Sequence, residues 1–416
     1  MSSSNELPPV PPPCRHDRLK QESDLCPPTE LFQIRSLNLE DTPELTESLP
    51  PESLAFFTPN CFSLRDSILK PDGTSYPSKS TKETTEHLED FAKLQKEHQQ
   101  SLKKQAKLQE RKQQLRIKQE KDRSKRLGIW NKDVVPNLPD IIHSKKVLKL
   151  WRQGIPSSCK KHIWPLAVGN QLGITEDLFK ALLDKSEKKP LDSFVANEHS
   201  QKLIVTDIPR TFPSLSFFSD GPWKEALHDC LQAFVEYRLD IGYVQGMSFI
   251  CAILLLFLET LPAFVCFSNL IVNNPILNSF YTFNQERIEV FYNVFDHLLH
   301  QFLPRQASHL KSIDLHCSLF LHDWFNTVYS RCLSLECVSR IWDLWFLDGD
   351  VVLYRVALSI LFLIRKELLY EFEIALRAIK RIGEVDELEL FEVYSKLEVS
   401  KQDYSSIVSK YIERSL

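Results

Sequence analysis

The chain has 416 residues, 43% of them hydrophobic and 25% charged, the composition of an ordinary folded protein. Its 51 Lys and Arg against 55 Asp and Glu leave a net charge of −4, which excludes a basic nucleic-acid-binding surface spread over the whole chain. Ten glycines beside 24 prolines are too few for the tight turns of an all-β fold, so the totals point to helices.

Residues 1–80 hold 13 of the prolines, in runs such as Pro8-Pro9-Val10-Pro11-Pro12-Pro13. Such runs favour extended polyproline segments over a packed core, and a disordered Pro-rich tail is expected. A solvated tail is preferred over a ligand for a proline-recognition module. The opening residues lack the basic and apolar regions of a signal peptide, so the expected compartment is the cytosol, with reduced thiols. None of the 10 cysteines is spaced CxxC, and the 12 histidines show no HExxH pattern. Neither a metal site nor a catalytic thiol is predicted.

Residues 81–127 contain no Pro or Gly. Between Lys93 and Arg126 there are 13 Lys and Arg against 4 Asp and Glu, a local charge of +9. The remainder divides into −8 over residues 1–92 and −5 from residue 127 onward. Leu94, Leu108 and Leu115 fall on a seven-residue grid with Ser101 at the missing step, which predicts a long exposed helix with a poor heptad seam. Three readings fit it: a weak coiled coil, a surface that meets anionic lipid or a partner, or a solvated spacer.

From residue 128 to 416 a folded domain of ten to fourteen helices is expected. Leu353, Val356, Ile360, Leu361 and Ile364 recur as on one helix face, and few segments alternate as strands do. The ten apolar residues from Phe249 to Leu258 are too few to span a bilayer and predict a buried helix.

Two segments set polar groups beside apolar packing. In the first, Pro209 and Pro213 bracket Arg210, which places it on a stiffened loop anchored by Ile204 and Phe212. In the second, Gly242 and Gly246 flank Tyr243-Val244-Gln245 just before the apolar helix. This puts Gln245 at that helix's mouth, where it could also serve as a helix-start residue bonded to nearby backbone.

Together these segments resemble the TBC domain, the catalytic module of Rab GTPase-activating proteins. Ile204, Asp207 and Arg210 match its IxxDxxR pattern, and Tyr243 and Gln245 match its YxQ pattern. WRQGIP at 151–156 with Trp164 is similar to the domain's opening. His322-Asp323-Trp324 with Tyr329, then Ile341-Trp342-Asp343 with Gly349, are similar to its later segments. The likeness covers about residues 128 to 380 in the family's order. Trp130-Asn131, Leu150-Trp151 and Ala167-Val168-Gly169-Asn170 look most like family members twelve and fourteen. The opening departs at Lys160, where the family usually has Arg; remote in sequence from both catalytic motifs, Lys160 is read as structural.

The resemblance implies an all-α, two-lobed domain that accelerates GTP hydrolysis by a Rab-type GTPase in its GTP form and so regulates vesicle trafficking. Arg210 would be an arginine finger and Gln245 a glutamine finger, with Asp207 orienting Arg210 and Tyr243 shaping the site. GTP and Mg²⁺ would belong to the partner, since this chain has no GxxxxGK[ST] loop and is predicted to have no cofactor of its own. The expected location is cytoplasmic, peripheral to endosomal or Golgi membranes. The competing reading is a non-catalytic Rab-binding adaptor that works through the basic helix and the Pro-rich tail.

Overall fold

The computed structural model describes residues 80–187, 195–215 and 217–415, and the Pro-rich tail apart from Ser80 lies outside them. The described residues fall into two units, 80–102 and 103–415. The described residues are helical, without a strand. The predicted basic helix is α1 (Thr81–Ile129). Leu88, Phe91, Leu94, Leu102 and Leu115 along it are all exposed. A π-helical turn at Trp130–Val134 follows, with both of those residues buried.

A first group of helices comprises α2 (Lys145–Arg152), α3 (Ser157–Val168), α4 (Glu176–Glu187), α5 (Val195–Asp207), α6 (Phe217–Asp220), α7 (Pro222–Tyr237), α8 (Met247–Leu255), α9 (Thr260–Asn273) and α10 (Pro275–Tyr281). Here α7, α8 and α9 pack on one another, with α4 and α5 against α7. The second group comprises α11 (Gln285–Phe302), α12 (Pro304–Ser312), α13 (Ser318–Asn326), α14 (Leu335–Asp348), α15 (Val351–Leu363), α16 (Phe372–Lys380), α17 (Glu387–Lys396) and α18 (Lys401–Ser415). Its centre is α15, which contacts α11, α13, α14 and α17. The groups meet where α10 packs on α11 and α13, and where α14 packs on α2 and α3.

Among the described residues seventeen α-helices follow residue 128, more than the ten to fourteen expected. Proline accounts for part of the difference, and the four-residue α6 adds to it. Pro275 and Pro304 stand at the first position of α10 and α12, lack an N–H, and cut apolar stretches that periodicity reads as continuous. Side-chain caps mark other starts: Ser144 accepts from Val147 N at 3.3 Å, Asn284 from Arg287 N at 3.1 Å and Ser334 from Cys337 N at 3.4 Å.

The apolar run at 249–258 forms most of α8, whose core residues are fully buried. Among the described residues, no single helix is long and apolar enough to cross a membrane. The α9–α10 pair would pass on composition, but it bends by 82° and is largely buried. The seven described cysteines are free thiols.

One buried carboxylate joins the opening motif to the IWD motif. Asp343 Oδ1 accepts from Lys160 Nζ at 2.5 Å and from Trp164 Nε1 at 2.9 Å, while its Oδ2 accepts from Ile155 N at 2.9 Å. Its carbonyl accepts from Trp151 Nε1 at 2.7 Å. Burial pushes the Asp343 carboxyl up and the Lys160 ammonium down, and their mutual attraction opposes both shifts. Lys160 is therefore structural, as expected from the sequence.

Removing one partner strands the other charge in the core. Lys160→Met or Asp343→Ala is expected to lower unfolding stability by about 3–5 kcal/mol in urea titrations. The Lys160→Met/Asp343→Leu double variant should recover most of that loss; a double variant as unstable as the sum of the singles would contradict the pairing.

Candidate functional site

Helix α5 ends at Asp207, and Pro209 carries the chain into a single 3₁₀ turn over Ile208–Arg210. Ile204, Ile208 and Phe212 are buried on either side of that turn, so Arg210 is held at a fixed point. The Thr211 hydroxyl donates to the Asp207 carbonyl at 2.8 Å and meets the Ser248 hydroxyl of α8 at 2.8 Å. This ties the Arg210 turn to the helix that Gln245 precedes.

Asp207 is the hub. Its side chain is 3% exposed and pairs through Oδ1 with Arg210 Nη2, whose side chain is 52% exposed. Its Oδ2 accepts from Tyr243 OH at 2.7 Å. Burial, with the Asp207 charge beside it, pushes the Tyr243 hydroxyl well above its usual range, so it stays a donor. The two motifs, 36 residues apart from Asp207 to Tyr243, are one hydrogen-bonded unit.

The loop carrying Gln245 needs both its glycines. Gly242 has φ +66°, and Ser200 Oγ accepts from the adjacent Tyr243 N at 3.3 Å. Gly246 has φ +107°, and a Cβ there would collide with the Asn326 carboxamide. Asn326 is held in place, because both its side-chain Oδ1 and its backbone carbonyl accept from the buried Tyr281 OH, at 3.2 and 2.6 Å. Gln245 itself is exposed, and among the described residues no hydrogen bond holds its side chain. It does not bond nearby backbone as a helix-start residue would.

Arg210, Asp207, Tyr243 and Gln245 all line one open groove of about 870 Å³. The structure therefore brings together all four predicted site residues. It also adds groups that the sequence reading did not assign to the site. Asp323 of α13 pairs with Arg331 at 3.0 Å, and His322 beside it has its imidazole pushed down by burial. Leu239 and Phe283 complete the apolar part of the lining. Asp323 and Arg331 stand eight residues apart with Val328 and Tyr329 at positive φ between them, so no helical spacing announces the pair. Outside the groove, Asp296, His316 and Cys317 bring potential metal-ligating atoms within 4.8 Å of one another. They come from two segments and fit no spacing motif.

The family profile described as the Rab-GTPase-TBC domain matches residues 157–369, just over half of the chain. The chain belongs to the Rab-GTPase-TBC domain family. This TBC chain is 36% identical over 310 residues to TBC1 domain family member 14 of Rattus norvegicus, covering 71% of this chain and 44% of that protein. It is 36% identical over 310 residues to TBC1 domain family member 12 of Xenopus tropicalis, covering 71% of this chain and 45% of that protein. It thus spans somewhat under half the length of these relatives. The solved TBC domain of a Chlamydomonas flagellar RabGAP superimposes with a TM-score of 0.57 at 23% identity, covering 67% of this chain and 93% of that one, a likeness of fold.

The glycine geometry of the TBC groove gives a direct test. Gly246→Ala must adopt a positive φ and displace Asn326, and should cost about 1–3 kcal/mol, read as a fall in thermal midpoint. An unchanged midpoint would mean that the loop does not need its glycine.

Proposed function

We propose that this TBC chain activates GTP hydrolysis by a Rab-type small GTPase in its GTP form, with Arg210 as the arginine finger and Gln245 as the glutamine finger. The observation that carries this reading is the Tyr243–Asp207–Arg210 relay opening on the groove that Gln245 also lines.

The chemistry follows from what phosphoryl transfer lacks. Charge spreads over the γ-phosphoryl oxygens in the transition state, and catalysis is positioning plus electrostatic stabilisation. A guanidinium suits this because it is planar, always charged and carries five N–H donors. Among the described residues, the one hydrogen bond of Arg210 goes to Asp207, which leaves its other donors for phosphate oxygens. Asp207 is fixed by Tyr243, so the arginine is aimed before docking and less ordering entropy is lost at reaction. Gln245 offers a carboxamide with both a donor and an acceptor, the pair needed to orient an attacking water. GTP and Mg²⁺ come with the partner.

In cells this activity would regulate vesicle trafficking, from the cytoplasm at endosomal or Golgi membranes. The exposed basic stretch of α1 supports a peripheral membrane contact, since Lys and Arg near an anionic leaflet gain about 1 kcal/mol each. Co-sedimentation with vesicles containing phosphatidylserine should be salt-sensitive, and Glu substitutions at Lys103, Lys104 and Lys107 should reduce it. Binding that ignores both salt and these substitutions would exclude the contact.

A panel of purified Rab GTPases with and without this chain tests the main reading. At least one should hydrolyse GTP faster, Arg210→Ala should lose roughly 10³-fold or more of that stimulation, and Gln245→Ala should also lose most of it. Stimulation that survives Arg210→Ala would remove Arg210 from the chemistry, and a folded chain that accelerates no Rab would overturn the reading.

A further inference from the structure

Two large apolar side chains on the groove are held out into solvent. Leu239 is 58% exposed and Phe283 is 59% exposed, and both line the groove that holds Arg210 and Gln245. They come from different segments, the loop after α7 and the turn between α10 and α11. Each is presented by a separate local device.

Leu239 sits between Arg238 and Asp240, whose side chains clasp one another. Arg238 Nε donates to Asp240 Oδ1 at 2.8 Å, and Nη2 donates to Oδ2 at 2.6 Å. This bidentate bond spans Leu239 and closes the loop around it. The Ile241 and Gly242 N–H groups both donate to the Arg238 carbonyl, at 3.0 and 2.8 Å. The backbone is thus stiff on both sides of the exposed leucine.

Phe283 is presented by strain. Its φ is +54°, a left-handed conformation that a non-glycine residue adopts at a cost. The turn is fixed by its neighbours: Thr282 Oγ1 donates to the Asn278 carbonyl at 2.7 Å, Asn284 N donates to the Ser279 carbonyl at 2.9 Å, and Asn284 caps α11. A costly backbone that leaves an aromatic ring in water is unfavourable for folding alone. Binding can offset it, because the backbone under both side chains is already held and little main-chain freedom is lost when they are covered.

We infer that Leu239 and Phe283 are the two apolar anchors that grip the partner GTPase beside its nucleotide. The inference rests on the function proposed above. Any protein that delivers a phosphoryl group to Arg210 and Gln245 must enter the groove that these two side chains line. The Asp323–Arg331 pair supplies a polar border on the same groove, the arrangement of an anchor with a solvated rim. The partner surface it fits is apolar and presented next to the bound nucleotide.

The test separates docking from chemistry and from folding. Binding of Rab GTPases loaded with a non-hydrolysable GTP analogue is measured on the full chain by surface plasmon resonance, in an Arg210→Ala background and without it. Leu239→Ala and Phe283→Ala should each weaken binding about tenfold or more. Phe283→Gly should weaken binding as much while leaving the thermal midpoint unchanged or higher, since glycine relieves the left-handed strain. Binding that persists without any stimulation of hydrolysis, and still depends on these residues, would fail the catalytic reading and keep the anchors. Unchanged affinity in both Phe283 variants, a lowered midpoint in Phe283→Gly, or a change in self-association in place of GTPase binding would each overturn the inference. Binding of no GTPase would overturn both.

Discussion

The fold depends on a buried carboxylate. Asp343 lies in the core with Lys160, Trp164, Trp151 and the Ile155 amide directed at it, all contributed by a segment some 180–190 residues earlier in the chain. A lone carboxylate there would be expensive, and each donor removed raises the cost of the rest. The site therefore fixes how α14 sits on α2 and α3. Trp164 then packs on Trp342 and Phe346 at centroid distances of 5.7 and 5.3 Å, so apolar burial follows the polar register. Lysine suits the position: its ammonium takes one oxygen of Asp343 and the Ser339 carbonyl, and leaves the second oxygen to the Ile155 amide. A guanidinium fork would compete for both oxygens.

The groove repeats that logic with one change. Asp207 is again a buried carboxylate, fixed by an aromatic donor, but its cation reaches into solvent. The core pair closes on itself, whereas the groove pair leaves most of a guanidinium available. Backbone strain gathers at the same place. Of the five described non-glycine residues at positive φ, Phe212 follows the Arg210 turn, Phe283 lines the groove, and Val328 and Tyr329 follow its Thr327. Tyr329 OH donates to the Leu353 carbonyl at 2.6 Å and Trp342 Nε1 to the Val328 carbonyl at 3.2 Å, so buried bonds hold that turn. Stiff walls favour a surface preformed for a partner.

Much of this was legible in the sequence because it is local. Proline and glycine spacing placed Arg210 on a stiff turn and Gln245 at a helix mouth, since both residues act on their own backbone angles. The long basic helix was legible from a stretch without breakers. Helix number was not, because Pro275 and Pro304 look alike in sequence whether they bend a helix or divide it. The Asp323–Arg331 pair was hidden by the two left-handed residues between its members, which erase any regular spacing.

What the sequence determined by itself was the helical class, the local geometry of each motif and the side-chain chemistry that each motif carries. Those depend on backbone preference and side-chain chemistry within a few residues. Only the tertiary structure decided that Asp207 and Tyr243 bond, that Lys160 belongs to Asp343, and that Leu239 and Phe283 open on the groove of Arg210. These are relations between segments far apart in the chain, set by which buried polar groups find partners when the helices pack, and no local spacing encodes them.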